Sequence, residues 1–235
     1  MSDNPVLSKR TATPTAPTRA EIDDFLRKMK GTTAADASGR LIFALDATAS
    51  RQPTWDTACQ LQADMFREAA AIGGLSVQLV YYRGMSECRH SRWISQAEHL
   101  AGLMERIDCR MGHTQISKIL AHARRETEIL KVQALVFVGD ATEENPDTLC
   151  HAASELGRLG VRAFLFQEGG DREVERVFCE IARLTNGAYC RFDEGAGDQL
   201  RDLLRAVAAY VVGGVAALAD QHSAGAVKLL GQLRR

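Results

Sequence analysis

No run of Lys and Arg in this chain is dense enough to follow a phosphate backbone, and a net charge of −1 over 235 residues exerts no general pull toward nucleic acid or an anionic membrane. The six cysteines, Cys59, Cys88, Cys109, Cys150, Cys179 and Cys190, form no C-x-x-C pair. Zinc knuckles and dithiol redox motifs are therefore excluded, and buried reduced thiols of a cytosolic protein are the reading that remains. There is no G-x-x-x-x-G-K-[ST] phosphate loop, no G-x-G-x-x-G after a strand and no G-x-S-x-G elbow. The opening residues, MSDNPVLSKR, hold no apolar signal core, which points to the cytoplasm. No internal repeat is present, so solenoids and propellers are set aside. The uncharged stretch Ala206 to Ala219, AVAAYVVGGVAALA, is shorter than the roughly 20 residues a bilayer span needs and is interrupted by Gly213-Gly214. It reads as a buried helix of the domain, and no membrane partner is expected.

Hydrophobic residues make up 46% and charged residues 25% of the chain, ordinary values for a globular protein with one sizeable core. Residues 1–19, rich in Thr, Pro, Ser and Ala, cannot bury enough apolar surface to offset ordering entropy and read as a disordered leader. Residues 20–38 carry a short helix, capped by Thr18 with Glu21, and a small-residue linker. Strand-like and helix-like segments then alternate, as in βαβ units with a mostly parallel sheet. The expected strands are Arg40–Leu45, Ser76–Arg83, Cys88–Ile94 (an antiparallel edge), Val132–Val138, Val161–Phe166 and Ala188–Phe192. The expected helices are Thr54–Ile72, a segment capped by Ser95 and running to Ile107, Gln115–Leu130, a segment from Pro146 to near Gly160, Asp171–Thr185, and one starting near Asp198. The tail, residues 220–235, has apolar spacing suited to a helix that docks on its own domain or on a partner.

Leu41 to Ser50, LIFALDATAS, is the most informative stretch. A buried strand ends in Asp46, and hydroxyls follow at Thr48 and Ser50. In open α/β sheets, ligands bind at the carboxyl ends of strands. One carboxylate and two hydroxyls are hard oxygen donors of the kind Mg²⁺ or Mn²⁺ prefers. A plain strand-to-helix turn with capping hydroxyls accounts for the same residues. Two further segments are Met111-Gly112-His113-Thr114 ahead of a helical pattern, and an apolar run from Ala134 that ends in Gly139-Asp140.

The three segments together, in this order and at these separations, resemble the metal-ion-dependent adhesion site of von Willebrand factor A domains. The resemblance runs from about Gly39 to Ala219. It implies a doubly wound, Rossmann-like α/β fold with a six-stranded, mostly parallel sheet and one antiparallel edge strand. It also implies a metal set of Asp46, Thr48, Ser50, Thr114 and Asp140. Within it the three hydroxyls would touch Mg²⁺ (or Mn²⁺) and the aspartates would act mostly through water. The implied function is metal-dependent binding of a protein partner that supplies an acidic side chain, without catalysis. The sequence departs from the family pattern at Thr48, where Ser is more usual, and after Asp140, where Ala141-Thr142-Glu143-Glu144 replaces a glycine. The rim reads in two ways: basic on one side (Arg51, Arg83, Arg110, His113) and acidic on the other (Glu143, Glu144, Glu168, Asp171, Asp193, Glu194), or, the favoured reading, a solvated surface of mixed charge. The alternative is a Mg²⁺-dependent phosphatase or phosphotransferase with Asp46 as nucleophile; enzymes of the haloacid-dehalogenase type want a second aspartate where Thr48 stands.

Limited proteolysis of the native chain should remove residues before about Ala20 and leave Leu41 to Ala219 intact. Rapid cutting inside that range would contradict a single folded domain.

Overall fold

Every residue of the strand Gly39–Asp46 (β1) is buried, and the sheet is built outward from it. In the computed structural model the described residues are 39–52, 55, 74–193 and 196–233, all within the unit Ser38–Arg235. The expected leader, the helix of residues 20–30 and nearly all of the helix expected over Thr54–Ile72 lie outside the described residues. β2 (Leu75–Arg83) pairs in parallel with one side of β1, and β4 (Ala134–Gly139) in parallel with the other. β3 (Glu87–His90) runs antiparallel on β2, while β5 (Arg162–Glu168) and β6 (Ala188–Phe192) extend the parallel side. The six-stranded order is β3-β2-β1-β4-β5-β6. The winding reverses at β1, so a crevice opens beyond the carboxyl ends of β1 and β4.

The described helices are α1 (Ala97–Met104), α2 (Ile116–Ile129), α3 (Pro146–Arg158), α4 (Arg172–Leu184), α5 (Gly197–Ala219) and α6 (Ala224–Leu233). Alternation along β1 divides the core. Leu41, Phe43 and Leu45 face α1, α5 and α6, meeting Leu100, Met104, Leu204 and Leu229. Ile42 and Ala44 face α2, α3 and α4, meeting Ile119, Leu149 and Phe178. With helices on both faces, a central parallel strand has no solvated side, which is why β1 reads as an uninterrupted apolar run.

Local chemistry sets several boundaries. Asn145 caps α3 by accepting the amides of Asp147 and Thr148, at 2.9 and 3.2 Å, and Pro146 occupies the first helical position, where its missing N–H costs nothing. Asp171 caps α4 in the same way. The antiparallel edge strand is shorter than expected because the Ser91 hydroxyl accepts the Leu79 amide at 3.0 Å, taking a donor that a continued ladder would use. Ile94 rejoins β2 through a single bridge to Val77. Ser95 does not cap α1: the N-cap position belongs to Gln96, whose side chain makes no cap bond.

α5 is long and apolar enough, by length and composition, to cross a membrane. Its helical geometry is broken at Gly214 (φ 68°, ψ −158°), and Leu200, Leu204, Val207 and Val211 are buried in the domain core. The tail helix α6 packs on α5 and β6, with Ala226 and Leu229 buried. Gln232 bonds the exposed edge of β6, accepting from the Tyr189 amide at 2.9 Å and donating to the Tyr189 carbonyl at 2.7 Å. Its carboxamide takes the place of a further strand and blunts an edge open to intermolecular pairing.

His122 on α2 is buried against β2, its Nε2 sharing a 2.8 Å hydrogen bond with Gln78 Oε1, and its ring stacks on His90 at 4.5 Å. Burial, reinforced by His90, pulls its pKa from 6.5 down to about 4. The unfolded chain therefore takes up this proton first as pH falls from 6.5 toward 4, and the stability contributed by neutral His122 is lost across that window. His122→Gln should flatten the pH dependence of the urea midpoint in that range; an unchanged slope would show that His122 carries none of it.

Candidate functional site

β1 delivers Asp46 to the crevice fully buried, and both of its oxygens are in use. Oδ1 accepts the Thr48 amide at 2.8 Å, closing a tight turn that carries the chain out of the sheet. Oδ2 accepts the Tyr82 hydroxyl at 2.8 Å. Tyr82 lies opposite Asp46 in the β1–β2 register, and its ring stacks on Phe137 at 6.2 Å. Burial pushes the Asp46 carboxyl above its ordinary value; the bonds from Thr48 and Tyr82 pull it back, and Asp140 adds to the rise. Burial and Asp46 also push the Tyr82 phenol well up, so it remains a donor.

The turn then presents its hydroxyls. Thr48 is buried, Ser50 is exposed, and their oxygens are 3.1 Å apart. The turn is held by the Arg110 amide donating to Ala47 O at 3.0 Å and by the Ala47 amide donating to Tyr82 O at 3.0 Å. The first of these ties the first loop to the loop that carries Thr114, and the second ties it to β2. That second loop passes so close to the β2–β3 turn that a Cβ on Gly112 would lie 2.0 Å from Gly84 O; only glycine fits.

Asp140 stands one residue beyond β4, next to the end of β1. The residues after it stitch the second and third loops together. The Glu143 amide donates to Thr114 Oγ1 at 2.9 Å. The Glu144 carboxylate accepts the first amides of α2, from Ile116 and, at 3.0 Å, from Ser117. It supplies the cap that Gln115 lacks, and a carboxylate suits the positive end of the helix dipole.

The loops bring together Asp46, Thr48 and Ser50, join them through Arg110 to the loop of Thr114, and set Asp140 beside β1. The buried Oδ1 of Asp140 has no hydrogen-bond partner. Among the described residues no group of three or more His, Cys, Asp and Glu side chains stands together as a metal site, so an ion here would depend on the hydroxyls. An all-oxygen donor set with one unpartnered carboxylate oxygen is of the type that hard cations take.

The rim does not divide into a basic and an acidic side; its charges are interleaved in pairs. Arg51 is buried and pairs with Glu168, itself buried at the end of β5. Arg83 is buried and pairs with Glu87 and Asp108. Arg110 pairs with Asp108 at 3.0 Å and His113 with Glu143 at 2.7 Å. Asp171 is spent on its cap, and Glu194 lies outside the described residues. Sequence reasoning missed the inward roles of Tyr82, Arg51, Glu144 and Glu168. Only Tyr82 had a usable signal: a polar aromatic at the end of the neighbouring strand, level with Asp46.

No family model matches the sequence, and no curated protein matches it. Solved structures do. An aerotolerance-related membrane protein from Bacteroides fragilis is 21% identical, covering 68% of this chain and 94% of that one, with a TM-score of 0.54. The VWA domain of SpRpn10 is 12% identical over 66% of this chain and 88% of that one, also at 0.54. The pilus adhesin SpaC from Lactobacillus rhamnosus GG, in its open conformation, is 9% identical over 73% of this chain and 30% of that one, at 0.59. At these identities the likeness is one of fold. The chain adopts the von Willebrand factor A fold, with a mostly parallel six-stranded sheet and one antiparallel edge strand.

Tyr82→Phe removes one of the two bonds to the buried Asp46 carboxylate and should lower stability by about 1.5–3 kcal/mol. Urea denaturation measures this; an unchanged midpoint would mean that Asp46 does not rely on the phenol.

Proposed function

We propose that the chain is a protein-binding domain whose crevice holds Mg²⁺ or Mn²⁺ through Thr48, Ser50 and Thr114, with Asp46 and Asp140 behind them, and that a partner's Glu or Asp completes the coordination. The observation that carries this reading is the pairing of a fully buried, doubly hydrogen-bonded Asp46 with an Asp140 oxygen that is buried and unpartnered. Asp46 is positioned to orient the first loop and contribute charge, while the Ser50 hydroxyl is exposed and that of Thr48 lies 3.1 Å from it. Thr114 Oγ1 accepts only the Glu143 amide, which leaves it a second lone pair. A bound ion would supply an electrophilic centre with an open position for a carboxylate. Beside the second loop, Met111 and Met85 are 84% and 72% exposed, large apolar contacts for the surface around that carboxylate.

The competing phosphatase reading needs Asp46 to attack phosphorus. A carboxylate with no exposed surface and both oxygens engaged is poorly placed for that. The free thiols, with burial holding Cys109 and Cys190 up to about 11, suit a reducing cytoplasm.

The full burial of Asp46 alters the choice of variant. Asp46→Ala would strip Tyr82 of its acceptor and cost fold stability. Ser50→Ala, at an exposed hydroxyl, and Thr114→Ala are better probes. Calorimetry should show weaker Mg²⁺ or Mn²⁺ binding in both. Pull-down from native lysate should recover a partner in Mg²⁺, lose it in EDTA, and recover far less with Thr114→Ala. Loss of the metal-bound carboxylate contact is expected to cost about 2–5 kcal/mol. Equal recovery in EDTA would overturn metal-dependent binding.

A further inference from the structure

The group in this crevice that the proposed function does not use is Arg51, the residue directly after Ser50. It ends the single 3₁₀ turn Ala49–Arg51 and points inward, 1% exposed. Its guanidinium pairs with Glu168 at the end of β5, while Asp46 and Asp140 stand at the ends of the neighbouring strands β1 and β4; burial pulls the Arg51 pKa down, and the charges of Asp140 and Asp46 hold it up. One cation therefore lies among three carboxylates from the ends of β1, β4 and β5. Burying an arginine is unfavourable unless carboxylates surround it, so its place here is tied to them.

We propose that Arg51 is a built-in competitor of the divalent cation: its guanidinium offsets Asp46 and Asp140 when no ion is present, and Glu168 draws it aside when one is. The inference rests on the metal reading above. Without Arg51, the two aspartates repel each other across a desolvated crevice in the ion-free state, with no cation to offset them. With Arg51 unrestrained by Glu168, the guanidinium would lean on Asp140 and repel the incoming ion. The pair therefore sets metal affinity in a middle range, in which the ion exchanges and the domain stays folded without it. Glu168 and Arg51 act through the aspartates and hydroxyls, so they are positioning residues.

The two partners have opposite effects on metal binding, which a merely structural ion pair would not produce. The test is calorimetric titration of Mg²⁺ and of Mn²⁺ into the EDTA-stripped full chain, with circular dichroism to verify folding. Arg51→Met should bind the ion about tenfold or more tightly than wild type, and Glu168→Gln about tenfold more weakly, as expected for adding or removing a neighbouring unit charge. Arg51→Met leaves Glu168 buried without its cation and can fail to fold. Arg51→Met/Glu168→Gln leaves no such charge, and it should bind about tenfold more tightly than Glu168→Gln alone, since the two differ only in the cation. Equal affinity in those two variants would overturn the role of Arg51 and leave the metal reading standing. Weaker binding in both single variants, with the double variant no tighter than Glu168→Gln, would mark the pair as structural. Absence of any binding heat in wild type and every variant would overturn the metal reading and this inference together.

Discussion

A carboxylate at the buried end of the central strand is the constraint around which the site is arranged. Asp46 belongs to a strand with no exposed residue, so its charge is largely stripped of water. Two donors, the Thr48 amide and the Tyr82 hydroxyl, replace part of that water. The first bends the chain into the hydroxyl-bearing turn; the second fastens the turn to the neighbouring strand. The same need for compensation draws Arg51 inward. The shape of the first loop therefore follows from the electrostatics of one residue.

The other loops are positioned by backbone donors seeking acceptors. The free amides at the start of α2 take the Glu144 carboxylate, and the Glu143 amide takes the Thr114 hydroxyl. These contacts join the second loop to the third without any ion. The amide of Arg110 ties the second loop to the first. A crevice preorganised in this way by hydrogen bonds would lose little conformational entropy if it took up a ligand. The charged groups of the rim have mostly been absorbed into local pairs, which weakens long-range steering.

The far end of the domain obeys the same rule. β6 is an edge strand, and the Gln232 carboxamide satisfies its open backbone from α6. The break at Gly214 lets the apolar chain of α5 turn so that α6 can return to the sheet. The apolar window of α5, long enough by composition to cross a membrane, is 44% buried in the domain, where it packs on a sheet face that has no solvated side.

Much of the fold was legible from residue order alone. Uninterrupted apolar runs marked β1 and β4 as central parallel strands, because a strand covered on both faces has no reason to alternate. The aspartates that terminate those runs, with the hydroxyls spaced two apart after Asp46, marked the crevice, since charge cannot continue into a buried strand. Pro146 and Asp171 marked helix starts through local preferences that need no tertiary partner. What the sequence could not reveal depended on contacts between distant segments. Tyr82 reaches Asp46 only because β2 pairs with β1 in one register. Glu144 caps α2 from a different loop, and Arg51 reads as a surface residue until Glu168 and Asp140 are brought beside it. Side-chain direction at strand ends, and so which charges face inward, was decided by the tertiary structure, because the free energy of a buried charge depends on neighbours that only the folded chain assembles.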